Sequence, residues 1–271
     1  KKWAKPKRVK TPIYMRPSSS HIVYEPLGVS LIVSPWNYPF QLLFNPLVGA
    51  ISAGCCAILK PSPDTPNIAK LMEEMIAKTF DPDYITLVQG GRETNTALFK
   101  QRFDLIFFTG SPKVGKVVMK AAADHLTPVV LELGGKSPCI VDKDANIDIA
   151  AKRIVFGKLI NAGQTCIAPD YLFAHGSIKD ELLRKIVHHS QQMYGENIQE
   201  SRFYPRIIND EAMERLTGLL NEGTIYAGGN YDRKEKFIEP TIINDVTPDY
   251  AIMQREIFGP LLPVLEFEQI A

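Results

Sequence analysis

Few things are scarce in this sequence, but each shortage closes off a class of protein. Cysteine is one: Cys55, Cys56, Cys139 and Cys166 are the four among 271 residues. Their spacings fit neither a zinc site nor a redox pair, so no disulfide and no metal site is expected, and free thiols in a reducing, cytoplasmic compartment fit best. Charge of one sign is missing as well. Lys plus Arg number 31 against 30 Asp plus Glu, a formal charge of +1, so no bulk field draws in nucleic acid or an anionic membrane. No apolar run is long enough to span a bilayer. The most apolar stretch, Leu42 to Leu59, is interrupted by Asn45, Pro46, Gly49, Ser52 and Gly54 and reads as a buried helix followed by a strand. Internal repeats and low-complexity segments are absent too, and no signal peptide is visible in the residues given, which do not begin with Met. The one local bias is six Lys or Arg among the first ten residues; with no aromatic residues interleaved beyond it, this reads as a solvated basic terminus.

What remains is a chain of balanced composition, long enough for about two domains and able to bury roughly three quarters of its unfolded surface. From Gly28 to Leu133, β-branched runs alternate with helical spacing. Strands are expected at Val29–Ser34, Ala57–Lys60, Ile85–Gln89, Leu105–Thr109 and Pro128–Glu132, and helices at Phe40–Ala53, Thr65–Thr79, Glu93–Lys100 and Pro112–Ala123. That rhythm predicts an α/β fold with a doubly wound parallel sheet, whose ligands bind at the carboxyl ends of its strands. After Gly135 the rhythm changes. Ser137–Val141, Tyr171–Ala174 and Glu239–Asn244 read as strands, and Ile147–Asn161, Lys179–Tyr194 and Glu211–Glu222 as helices. We therefore expect a dinucleotide-binding domain over residues 1–133 and a second α/β domain over 134–271, which stops as another helix would begin.

Several residues stand where chemistry is expected. The turn Thr109-Gly110-Ser111-Pro112-Lys113-Val114-Gly115 follows a strand and opens a helix. Its glycines would let the backbone approach a pyrophosphate, and Ser111 could cap the helix; phosphate binding and ordinary turn chemistry are equal readings of it. Lys60 ends the second strand, where its ammonium would meet a ribose or simply water. Asn37 closes the first strand as an amide donor or a helix cap. Glu132 ends an apolar strand before Gly134-Gly135; partly desolvated there it would serve as a general base, the bland alternative being a surface strand end. Cys166 differs from the other cysteines, which read as inert core residues, because Gly163, Gln164 and Thr165 precede it rather than an apolar run.

Taken together the motifs resemble the aldehyde dehydrogenase superfamily. Pro35-Trp-Asn-Tyr-Pro39, Lys60-Pro-Ser62, Thr109-Gly-Ser111, Glu132-Leu-Gly-Gly-Lys136, Gly163-Gln-Thr-Cys166 and Glu256-Ile-Phe-Gly-Pro260 occur in that family's order across nearly the whole chain. The stretches His125–Pro128, Lys136–Cys139, Cys166–Tyr171 and Arg206–Asn209 are most similar to its class 3 branch, which acts on fatty and aromatic aldehydes.

The resemblance implies a function: NAD(P)-dependent oxidation of medium- or long-chain aliphatic or aromatic aldehydes to carboxylates. Cys166 would be the nucleophile, passing through a thiohemiacetal and a thioester, Asn37 an oxyanion donor, and Glu132 the base that activates the hydrolytic water. Lys60 would contact the adenine ribose, Gly110 through Gly115 the pyrophosphate, Glu256 the nicotinamide ribose and Phe258 the nicotinamide, while Tyr38 would line the substrate tunnel. Pro63 replaces a Glu common in class 3 relatives, which implies that NADP is tolerated beside NAD; Pro205 replaces a Gly, with no predicted effect. Family members extend beyond both ends of this chain and commonly form homodimers, which would make residues 1–25 part of an oligomerisation arm. Two other readings compete with this one: a cysteine acyltransferase or hydrolase that needs no cofactor, and a catalytically incomplete fragment that only binds nucleotide or partner chains.

Overall fold

The computed structural model describes residues 4–269. Lys1 and Lys2 of the basic run, and Ile270 and Ala271 of the closing segment, lie outside them. The chain divides into two compact units that join between Leu133 and Gly134.

The first unit opens with a two-stranded antiparallel ribbon that the sequence pattern does not announce, β1 (Lys7–Val9) on β2 (Ser20–Ile22). Then follow β3 (Val29–Val33), α1 (Pro39–Ala53), β4 (Cys56–Lys60), α2 (Pro66–Thr79), β5 (Ile85–Leu87), α3 (Arg92–Phe99), β6 (Leu105–Gly110), α4 (Pro112–Ala123) and β7 (Val129–Leu133). The five strands β3 to β7 form a wholly parallel sheet in the order β5-β4-β3-β6-β7. Helices cover both faces, which is why β3 reads as a continuous buried run rather than an alternating one. Its Ile32 packs into a core with Leu43 and Leu47 of α1 and Met72 of α2, while Leu31 and Val33 join Phe99 of α3 and Val118 of α4 on the opposite side. The chain enters at β3, runs outward through β4 and β5, then returns to the other side of β3 for β6 and β7. Connections leaving β3 and β6 thus diverge, and the crevice beyond their carboxyl ends is the place where such sheets hold ligands. Local chemistry fixes the helix ends. Pro39 and Pro112 take the first turns of α1 and α4. Gly115 brings α4 close to β7: a Cβ there would lie 2.9 Å from Leu133 Cδ2.

The second unit comprises β8 (Pro138–Val141), α5 (Ile147–Leu159), β9 (Tyr171–His175), α6 (Lys179–Tyr194), α7 (Asp210–Gly218), β10 (Thr224–Ala227), β11 (Tyr231–Asp232), β12 (Phe237–Ile238), β13 (Thr241–Asn244), α8 (Ala251–Gln254) and β14 (Leu261–Phe267). Its main sheet has the order β10-β13-β14-β9-β8, parallel except for β10. Two expectations need correction here. Helix α5 stops at Leu159 instead of Asn161, because Asn161, Ala162 and Gly163 all take left-handed backbone angles that no right-handed helix can continue through. No strand is expected from the sequence at Leu261–Phe267, yet β14 forms there in the middle of the sheet with Pro263 inside it, a residue that central strands rarely hold. The register explains the tolerance. Residues up to Pro263 pair with β13, and pairing with β9 begins at Val264, so the missing N–H falls at the changeover between partners. Among the described residues no helix is long and apolar enough to cross a membrane.

Candidate functional site

In the first unit, Asn37 and Tyr38 lie half-buried on the segment leading from β3 into α1. Tyr38 is the N-cap of α1 and makes no side-chain capping bond, and Asn37 stands one residue before that cap position. Lys60, the last residue of β4, is only 1 % exposed, which rules out the solvated alternative. Its Nζ donates to the Pro61 carbonyl at 2.7 Å, and burial pushes its pKa below the ordinary lysine value. Ser111 caps α4, its Oγ accepting from the Val114 N–H at 3.4 Å. Residues 111–114 are exposed at the helix N-terminus, where backbone donors and the macrodipole favour anions. Glu132 pairs in register with Thr109, which sets its carboxylate strand beside the turn at Gly110 and Ser111. The expected partial desolvation of Glu132 is not found. It is exposed, because β7 is the edge of the sheet and the face carrying Val130 and Glu132 is left open.

In the second unit, Cys166 is half-buried and follows the left-handed turn at residues 161–163. Non-glycine residues at positive φ store strain that persists only when surroundings enforce it. Here Gln164 does so. Buried to 2 % exposure, it donates to the carbonyls of Asn161 at 3.1 Å and Arg206 at 3.2 Å and accepts from the Ile208 N–H at 3.0 Å. Gly163 meets the second motif of this unit, since a Cβ there would lie 2.2 Å from the Gly259 carbonyl oxygen. The nucleophile candidate's turn is thereby packed directly against the block holding Glu256 and Phe258. Phe258 itself takes a left-handed φ of 51°.

Glu256 sits over Gly134, where a Cβ would clash with its carboxylate. Burial first, and then the negative charge of Asp170, raise its pKa, while the Gly135 N–H and the cations Arg215 and Lys136 oppose the rise. Sequence reasoning gave no role to the residues that hold this block. Asp170 Oδ1 accepts from the Ile257 N–H at 2.8 Å, and its other oxygen pairs with Lys136 Nζ. Lys136 in turn donates to the carbonyls of Ile252 and Arg255, each at 3.1 Å. One ion pair therefore staples both flanks of Glu256. Of the other cysteines only Cys55 is fully buried; Cys56 and Cys139 are half-buried, contrary to the core reading. Burial nonetheless raises the Cys139 thiol pKa, which disfavours its thiolate.

Lys158 was also missed, although it shares a helical face with Ala151, Ile154, Val155 and Leu159. It is 2 % exposed and its Nζ has no hydrogen-bond partner among the described residues. Burial pushes its pKa from 10.5 down to about 8, against the opposing pull of Asp170. Because the folded pKa lies below the unfolded one, the unfolded chain binds the extra proton between about pH 8 and 10.5. The penalty is complete below that window and fades as pH rises through it. At roughly 1.4 kcal/mol per unit it amounts to about 3 kcal/mol near neutrality. Lys158→Met is therefore expected to raise the unfolding free energy in urea by about that much at pH 7, with the gain shrinking toward pH 10.5. A destabilised variant at pH 7 would show the ammonium to be well held.

Comparison with known proteins places this geometry. The aldehyde dehydrogenase family matches residues 4–271. A 4,4'-diaponeurosporen-aldehyde dehydrogenase of Staphylococcus aureus is 52 % identical over 272 residues, covering 100 % of this chain and 59 % of that protein. The dimeric, NADP-preferring aldehyde dehydrogenase of Rattus norvegicus is 46 % identical over 263 residues, 97 % of this chain and 58 % of its own length. Among solved structures, the substrate-bound state of Staphylococcus aureus AldH superimposes with a TM-score of 0.94 at 51 % identity, over 99 % of this chain and 59 % of that one. The chain thus spans little more than half the length of these relatives.

Proposed function

The chain belongs to the aldehyde dehydrogenase family, and from that membership we propose that the protein oxidises medium- or long-chain aliphatic or aromatic aldehydes to carboxylates with a nicotinamide dinucleotide. The observation that carries the reading is the contact of Gly163 with Gly259, which ties the Cys166 turn to the Glu256–Phe258 block. A dinucleotide fits the residues present. The crevice at the ends of β3 and β6, the capped N-terminus of α4 and the buried Lys60 suit its phosphates and one ribose. Glu256 Oε1 is buried without a partner among the described residues, an acceptor suited to a hydroxyl of the second ribose, and Phe258 beside it suits the nicotinamide.

In the proposed mechanism the Cys166 sulfur adds to the carbonyl carbon, and the developing oxyanion is held by the Asn37 amide and the Cys166 N–H. A nicotinamide dinucleotide held by Lys60, the α4 N-terminus, Glu256 and Phe258 would supply a hydride acceptor, and Cys166 would then carry the acyl group as a thioester. Glu132 then takes a proton from water, whose oxygen displaces the sulfur and releases the carboxylate. Tyr38 flanks the aldehyde. NAD is the principal cofactor and NADP is tolerated, in keeping with Pro63 and with the NADP-preferring relative. A homodimer in the cytoplasm completes the proposal, with the ribbon of β1 and β2 and the exposed Ile13, Tyr14 and Tyr24 as its contact surface.

The direct test is incubation of the whole protein with an aldehyde and NAD while absorbance of the reduced nicotinamide is followed. Turnover of activated esters without any NADH formation would instead favour a cofactor-free acyl transfer. Lys60→Ala is expected to raise the KM for cofactor about tenfold, the loss of one charge-assisted hydrogen bond. The KM for aldehyde should change less, and the reverse pattern would reassign Lys60.

A further inference from the structure

Two charged residues that take no step in that chemistry hold Glu256 by its backbone. Strands β8 and β9 pair in parallel from Pro138 and Tyr171, which brings Lys136 and Asp170, just ahead of each strand, together; the Asp170 N–H extends the ladder to the Ser137 carbonyl at 2.9 Å. All three ammonium protons of Lys136 are used, one on Asp170 Oδ2 and two on the carbonyls of Ile252 and Arg255. Asp170, only 3 % exposed, takes the Ile257 N–H on its other oxygen. The peptide groups on both sides of Glu256 are therefore fixed. Its carboxylate lies on Gly134 and accepts from the Gly135 N–H, and Oε1 is left with no hydrogen-bond partner among the described residues.

We propose that Lys136 and Asp170 are positioning residues for dinucleotide binding, whose ion pair aims Glu256 Oε1 at a ribose hydroxyl. The ribose as target rests on the function proposed above; the clamp rests on the hydrogen bonds just described. A binding group has to be held within about 0.5 Å of its productive place, and packed, hydrogen-bonded supports do this. The pair also sets the charge that Glu256 meets. Burial raises the Glu256 pKa and Asp170 adds to the rise, while Lys136 and Arg215 of α7 oppose it; Lys158 of α5 is a further cation within reach. Loss of the Asp170 charge lowers that pKa and loss of the Lys136 charge raises it. Two substitutions that open one clamp thus act oppositely on the carboxylate.

The test is NAD affinity of the whole protein by calorimetry, across about pH 5 to 8. Asp170→Asn and Lys136→Met are each expected to weaken binding about tenfold, the worth of one charge-assisted hydrogen bond. As pH falls, binding should fail later in Asp170→Asn than in the wild type and earlier in Lys136→Met, opposite shifts that a merely structural pair would not give. Combined with Glu256→Ala, the same substitutions should change affinity less than about twofold, because no acceptor remains to be aimed. If a single change unfolds the protein, Lys136→Met with Asp170→Leu removes both charges at once, which folds with buried pairs commonly tolerate, and the same tenfold loss is expected. Wild-type affinity in folded variants, or equal losses with and without Glu256, overturns the proposal alone. Wild-type protein that binds no NAD overturns the cofactor reading, and this proposal with it.

Discussion

Cys166→Ala is expected to lower aldehyde-dependent NADH formation by a factor on the order of 10⁴ or more, because removing a covalent nucleophile removes the reaction path and not merely one contact. The thiol is half-buried behind a turn whose strain is carried by Asn161, Ala162 and Gly163 rather than by its own side chain. Alanine at 166 should therefore leave the fold and the cofactor contacts in place. The check has three parts: reduced-nicotinamide absorbance under saturating aldehyde and NAD, the urea midpoint, and NAD affinity by calorimetry. Lost turnover with the other two unchanged identifies Cys166 as the nucleophile. Full turnover by the alanine protein would refute that role.

Gly163→Ala should be among the most damaging single methyls in the second unit. A Cβ at that position lies 2.2 Å from the Gly259 carbonyl oxygen, 2.6 Å from its carbon and 3.1 Å from the Lys158 carbonyl oxygen. All three are backbone atoms, so no side chain can swing aside. The φ of +73° adds a further cost, though Ala162 at φ 50° shows that alanine is tolerated at such angles when space allows. Most of the effect thus comes from the contact. We expect a loss of about 3 kcal/mol or more in urea unfolding, or else a displaced Glu256–Pro260 block that raises the cofactor KM with stability retained. Wild-type values of both would mean that the two glycines do not touch.

The repeating elements of the first unit were legible because a parallel sheet covered on both faces writes itself as apolar, β-branched runs separated by helical spacing. The helix expected at Pro112–Ala123 is the one found, with Ser, Pro and Gly marking its start. Where the second unit was misread, the cause was a long-range compensation. Pro263 sits inside the central strand β14 because the register places it between two partners. The left-handed turn before Cys166 had no local signature beyond Gly163, since Gln164 enforces it through residues more than forty positions away. Glu132 was read as desolvated from its apolar neighbours in sequence, yet alternate residues of an edge strand point to an uncovered face. Lys136 and Asp170 stood inside quoted motifs, but nothing in either motif told that they pair with each other around Glu256. Lys158 could have been found from the apolar face it shares.

The position of β14 also bears on how the protein is made. It follows the other described strands of the second unit in the chain, yet it stands third of five, joining β13 on one side to β9 on the other. Until residues 261–267 leave the ribosome, β8 with β9 and β10 with β13 are separate pairs, each offering a bare edge to other nascent chains. The described strands of the first unit, β1 to β7, are all made by Leu133 and can pair while synthesis continues. Ribosome stalling just before Leu261 would therefore strand the second unit as two sticky half-sheets, at the moment when the Cys166 turn still lacks the neighbouring strand that anchors its partner block.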